Sequence, residues 1–178
     1  MRIISGKYKG KRLMAPRNLP VRPTTDFAKE GLFNILNNRV HFSEVSVLDL
    51  FAGTGNISFE FASRGTTELT AVDIDHGCIQ YIKKISDELD FNIQVFKSDV
   101  FSYLEKSRQP FDIIFADAPY AFDQTQFAEI VSQVQQHALL KDDGFLIIEH
   151  SKHTDLSSLP GYSESRKYGG SVFSFFES

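Results

Sequence analysis

The chain has 178 residues, a length that suits one domain built on a single buried core. Its 42% apolar and 24% charged residues are ordinary for a globular protein and exclude a collagenous or disordered class. No apolar run approaches the roughly 18 residues of a membrane helix and no signal-peptide core is present, so a cytoplasmic protein with no membrane partner is expected. The lone Cys78 excludes an internal disulfide. With Asp73 and Asp75 beside it, a reactive thiolate is disfavoured, and Cys78 reads as a small buried hydrophobe.

The net charge of −4 conceals an asymmetry. Seven of the 19 Lys and Arg residues fall in residues 1–25: Arg2, Lys7, Lys9, Lys11, Arg12, Arg17 and Arg22. No acid accompanies them, whereas the remainder carries 12 cations against 23 acids. A polyanion would be drawn to the first segment and repelled by the body. A solvated basic hairpin is the plain alternative.

Taken in chain order, Arg2 to Leu13 predicts two short strands about a glycine-containing turn. Pro16 to Pro23 is too irregular for either regular element. Thr24, Thr25 or Asp26 then caps a helix to about Asn37 with Phe27, Leu32, Phe33, Ile35 and Leu36 as its apolar stripe. From residue 46 strands alternate with helices. Strands are expected at Val47–Phe51, Glu68–Ile74, Asn92–Phe96, Phe111–Ala116 and Gly144–Glu149. Helices are expected at Ile57–Arg64, His76–Leu89, Phe101–Lys106 and Gln124–His137. Two further strands turn about Gly169-Gly170 in the tail. This predicts an α/β, Rossmann-like single domain over residues 1–178, with a basic arm (1–25) and a cofactor-binding core (46–178). Its seven-stranded, mostly parallel sheet is covered on both faces and ends in an antiparallel C-terminal hairpin.

Ligands of such sheets bind beyond the carboxyl ends of the strands. Asp49-Leu50-Phe51-Ala52-Gly53-Thr54-Gly55 sits where the first strand turns, and its glycines allow close backbone approach and positive φ. A dinucleotide fingerprint needs a third glycine where Ser58 stands. An acid at 49 would repel a pyrophosphate yet suit the cationic end of S-adenosylmethionine. Asp73 ends the second strand about 20 residues after the turn, the spacing at which an acid meets ribose hydroxyls. Asp75 is its rival and the better helix cap. Asp99 follows the third strand and could accept from an adenine amine while Val100 or Phe101 packs on the ring.

Asp117-Ala118-Pro119-Tyr120 follows the fourth strand. An exocyclic amine is a poor nucleophile because its lone pair is delocalised into the ring. Two acceptors, an Asp oxygen and a backbone carbonyl, can localise that pair, and the Tyr ring offers a stacking face. Neither His150 nor His153 suggests a metal site, and their loop reads as solvated.

The motif resembles the Asp/Asn-Pro-Pro-Tyr signature of amino-group methyltransferases. Together with Arg2-Ile3-Ile4-Ser5-Gly6-Lys7, Arg22-Pro23-Thr24-Thr25-Asp26, Glu30-Gly31-Leu32-Phe33-Asn34-Ile35-Leu36 and Ser63-Arg64-Gly65, the chain resembles the bacterial 16S rRNA guanine-N2 methyltransferase family nearly end to end. The resemblance implies S-adenosylmethionine as methyl donor, no metal, and 16S rRNA or the small ribosomal subunit as partner, with no obligate protein partner. It implies that Asp49, Phe51, Gly53 and Gly55 hold the methionine part, Asp73 the ribose, and Asp99 with Val100 the adenine. It implies that Thr24 and Thr25 close over the cofactor and that Asp117, Ala118, Pro119 and Tyr120 hold the guanine. The seven cations of the arm would meet rRNA phosphates. The family usually has Pro at 118 and commonly Glu at 73, so both positions depart from it. The alternatives are a methyltransferase for another nucleobase amine (DNA adenine or another rRNA base), a non-catalytic RNA-binding assembly factor, and an NAD-dependent oxidoreductase.

Overall fold

A computed structural model describes residues 1–178. Five strands run parallel: β1 (Ser46–Leu50), β2 (Glu68–Asp73), β3 (Ile93–Lys97), β4 (Phe111–Asp117) and β5 (Leu140–Ser151). β6 (Tyr162–Tyr168) and β7 (Ser171–Glu177) close the sheet as an antiparallel hairpin, in the order β3-β2-β1-β4-β5-β7-β6. The helices are α1 (Asp26–Asn37), α2 (Asn56–Ser63), α3 (His76–Leu89), α4 (Val100–Lys106) and α5 (Gln124–Gln136). The expected seven-stranded Rossmann-like sheet is therefore present.

β1 is buried throughout because it has parallel neighbours on both edges and helices on both faces. The strand alternation splits the core. Leu48, Leu50, Ile114, Ala116 and Ile148 pack with α4 and α5, while Val47, Ile113, Phe115 and Ile147 pack with α1 and α2. Asp49, Asp117 and Glu149 share the α1/α2 face by the same period. They thus stand together at the carboxyl ends of β1, β4 and β5.

The arm departs from expectation. Residues 2–13 form no hairpin strands, only one antiparallel bridge between Arg2 and Arg12. Ile3, Gly10 and Leu13 N–H donate across the arm to Lys11, Ile3 and Met1 C=O, while four other arm amides are taken by α2. Ile4 and Ser5 N–H donate to the Glu60 carboxylate at 2.9 and 3.1 Å, and Lys7 and Tyr8 N–H donate to Ser63. Ile3 and Leu13 are buried beside Phe59, Tyr81 and Ile85, so the arm is welded to α2 and α3. All seven of its cations remain exposed.

Most element ends fall within a residue of the sequence reading, and the larger differences have local causes. β1 stops at Leu50 because Phe51 takes φ 57°. β5 extends from Leu140 to Ser151, with a register shift against β4 between Phe111 and Ile113. A single 3-10 turn forms at Phe42–Glu44 where none was expected.

Candidate active site

The carboxyl ends of the strands open into a cavity of about 1120 Å³. Pockets for one small ligand span about 300–1,000 Å³, so this one has room for a cofactor and part of a second molecule. Arg22, Thr24, Thr25, Asp49, Phe51, Gly53, Asp73 and the whole of Asp117-Ala118-Pro119-Tyr120 line it. Gly55, Asp99 and Val100 do not, and of the seven arm cations only Arg22 reaches it.

The turn after β1 is shaped from within. Gly53 and Gly55 take φ 57° and 84°, a region that glycine enters without the strain of a Cβ. At Gly53 an added Cβ would meet Val21 of the cavity wall at 3.3 Å. At Gly55 the reason is different: a Cβ there would press on Phe59 and Ile82 at 3.0 Å, inside the core. Gly55 therefore serves the turn and the packing of α2.

Asp73 accepts from Gly53 N–H and Asp75 N–H, both at 2.8 Å, tying the glycine turn to the end of β2. A carboxylate has about four lone-pair sites, so two remain for other donors. Asp75 caps α3 by accepting from Cys78 N–H at 2.8 Å, as the sequence suggested. Burial, then the charge of Asp73, pushes the Cys78 thiol up to about 12, which rules out a thiolate nucleophile at neutral pH. Asp99 is exposed and caps α4 through Ser102 N–H, while Val100 is part of the core behind it.

Asp49 is only 1% exposed and accepts from the Ser58 hydroxyl at 2.6 Å. Burial pushes its carboxyl up to about 7, against the pull of that hydrogen bond. A folded-state value above the unfolded one means a contribution to stability that is full below about pH 4 and lost as pH rises through about 7. Asp49→Asn keeps an acceptor for Ser58 and removes this loss. Its melting temperature at pH 8 should exceed the wild-type value by several degrees, and the two chains should converge at pH 4 in circular-dichroism melts.

Asp117 lies beside Glu149, its register partner on β5. Burial first, then the charges of Glu149 and Asp49, hold the Asp117 carboxyl well above its ordinary range. Burial raises Glu149 as well, offset by the Thr24 hydroxyl, which donates to Glu149 Oε2 at 2.7 Å. Pro119 C=O accepts from Phe122 N–H at 3.0 Å, closing the loop on itself. Tyr120 is 65% exposed at the cavity mouth. The arrangement joins clustered carboxyl acceptors to one open aromatic face, which suits a cationic donor molecule and a planar acceptor bearing an amine.

Some of these neighbours were not legible beforehand. Glu149 was passed over because its pairing with Asp117 depends on strand register. Lys152 and His153 line the cavity although their loop read as solvated. His150 is buried at the end of β5, its Nε2 at 2.7 Å from Ser174 Oγ and its Nδ1 at 2.9 Å from Ser151 C=O. Burial holds its pKa below the ordinary value, so it serves as a neutral pin of the hairpin.

The profile of the family described as conserved hypothetical protein 95 matches residues 1–177. The chain belongs to this family. Escherichia coli ribosomal RNA small subunit methyltransferase D is 30% identical over 161 residues, spanning 90% of this chain and 79% of that one. Bacillus subtilis YlbH is 34% identical over 166 residues, spanning 90% and 88%. Among solved structures, Escherichia coli yhhF superposes with a TM-score of 0.86 at 28% identity, covering 99% of this chain and 96% of that one.

Proposed function

We propose that this family member transfers a methyl group from S-adenosylmethionine to the exocyclic N2 amine of a guanine in 16S rRNA. The observation that carries the reading is the placement of Asp117 and Tyr120 in one cavity with Asp49, Gly53 and Asp73. Its volume and its acidic lining fit an adenosyl group with a cationic methionine end. Asp49, Phe51 and Gly53 would hold the methionine part and Asp73 the ribose. Thr24 and Thr25 lie across the same wall. Asp99, exposed at the cap of α4 with one oxygen free of Ser102, would take the adenine amine only at the rim.

Bound there, the cofactor supplies an already activated methyl. The protein supplies position and charge. Asp117 Oδ and the Ala118 carbonyl accept the two amine hydrogens, which turns the nitrogen lone pair out of the base plane. Tyr120 stacks on the base, which must leave its helix or loop to reach the cavity. The raised Asp117 carboxyl, beside Glu149, is suited to receive the proton that the amine sheds. The seven exposed arm cations suit contacts with phosphates.

Ala at 118 leaves the acceptor carbonyl in place and loses the φ restraint of proline. Ala118→Pro should therefore transfer methyl at least as fast as wild type, by about twofold to fivefold in single-turnover assays. A slower rate would mean that the loop uses its freedom.

The reading is tested by incubating purified protein and labelled S-adenosylmethionine with small subunits from a strain lacking this gene, with DNA and protein fractions as controls. Label in rRNA alone is expected. Label in DNA or protein instead would overturn the rRNA assignment.

A further inference from the structure

Resting on the reading of Tyr120 as a stacking platform for an RNA base, we propose that Arg22 is the opposite jaw of a clamp on that base. The Arg22 guanidinium carbon lies 4.8 Å from the centroid of the Tyr120 ring, across the mouth of the cavity that both line. It covers the face that an incoming base needs. The guanidinium forms no ion pair, although Asp117 and Glu149 line the same cavity, so its fork of donors is unspent.

The backbone beneath Arg22 is held while its side chain is free. Pro23 follows with its fixed φ, Thr24 hydroxyl donates to Glu149, and Thr24 C=O accepts from Asn56 Nδ2 at 3.2 Å. Arg22 itself is exposed. A base between ring and guanidinium requires two contact layers of about 3.5 Å each, so the present gap must widen by about 2 Å. Rotation of a long, unpaired side chain achieves this without moving the segment. The planar guanidinium then stacks on the outer face of the base, as arginine does on splayed RNA bases. Arg22 thus lies on the Tyr120 face that the base would take, and on entry of the base it becomes the second stacking surface.

Two measurements test the clamp. In steady-state methylation of small subunits, Arg22→Ala should lose about tenfold in kcat/KM, mainly through KM, with unchanged cofactor affinity. Arg22→Lys should stay within about threefold of Arg22→Ala, because an ammonium keeps the charge and lacks the plane. Recovery by Arg22→Lys, with a salt slope reduced by about one in Arg22→Ala, would make Arg22 a phosphate contact and overturn the clamp. An unchanged or faster Arg22→Ala enzyme would overturn it too. The second measurement needs no methyl transfer. The chain has no tryptophan, so Tyr120→Trp provides a single indole at the platform. Guanosine monophosphate should quench its fluorescence, and Arg22→Ala in that background should weaken the titration about tenfold. Absence of quenching, or quenching indifferent to Arg22, would overturn the clamp. Quenching that depends on Arg22 in a chain that methylates no rRNA would sustain the clamp and sink the rRNA assignment.

Discussion

Asp117→Ala should lower methyl transfer at least about a hundredfold while leaving S-adenosylmethionine affinity within about twofold of wild type. The residue stands at the end of β4 beside Glu149, and the glycine turn is held by Asp73 instead. On the proposed reading its loss removes one of the two acceptors for the amine and the nearest group for its proton. Asp117→Asn retains an acceptor and should recover part of the rate. The wild-type rate should rise with pH as the Asp117–Glu149 pair loses its shared proton, above the ordinary carboxylate range because burial and mutual repulsion raise both groups. Asp117→Asn should flatten that rise. Single-turnover rates with calorimetric cofactor titration check both points. A collapse of cofactor binding in Asp117→Ala would place the residue in the cofactor site.

The second large effect is on stability. Lys29 and Glu60 are both fully buried, with Nζ to Oε2 at 3.3 Å. Lys29 Nζ also donates to Arg2 C=O at 2.6 Å and Asn56 Oδ1 at 2.8 Å, and Glu60 accepts from two arm amides and from Arg64. Burial pulls the Lys29 ammonium below its ordinary pKa, and Glu60 opposes that pull. Lys29→Met fills much of the space but leaves Glu60 with Arg64 as its one cationic partner. Breaking a buried pair costs about 3–5 kcal/mol, and the shared Arg64 places this site at the lower end. For a chain of this size the melting temperature should fall by about 10 °C. Trypsin should then cut first within residues 2–17, since the arm loses its anchor at Arg2. An unchanged melting temperature and an uncut arm would contradict the account.

The parallel core was readable because buried strands are continuous apolar runs and the strand-to-helix turns carry Gly53 and Gly55. Asp75 as a cap was also readable, since its partner Cys78 N–H lies three residues on, and Cys78 as a buried thiol follows from the residue type. The docking of the arm on α2 was not readable because its amide partners, Glu60 and Ser63, lie more than 50 positions away and no local pattern announces them. Glu149 was missed for a related reason. Its pairing with Asp117 follows from β4–β5 register, and the bulge near Phe111 hides that register from a count of residues. Gly55 read as a ligand-facing glycine, whereas Phe59 and Ile82 are what exclude a side chain there. The contact of Arg22 with Tyr120 joins an irregular proline-rich segment to a loop, and neither has a period to read.

The chemistry at the centre of the account is methylation of a guanine N2 amine. The most direct test is nucleoside analysis of rRNA after reaction of subunits lacking the modification with this protein and labelled S-adenosylmethionine. Nuclease digestion and mass spectrometry should return the label as N2-methylguanosine from a single position. Label recovered as a methylated adenosine, as a ring-methylated guanosine, or spread over many positions would contradict it.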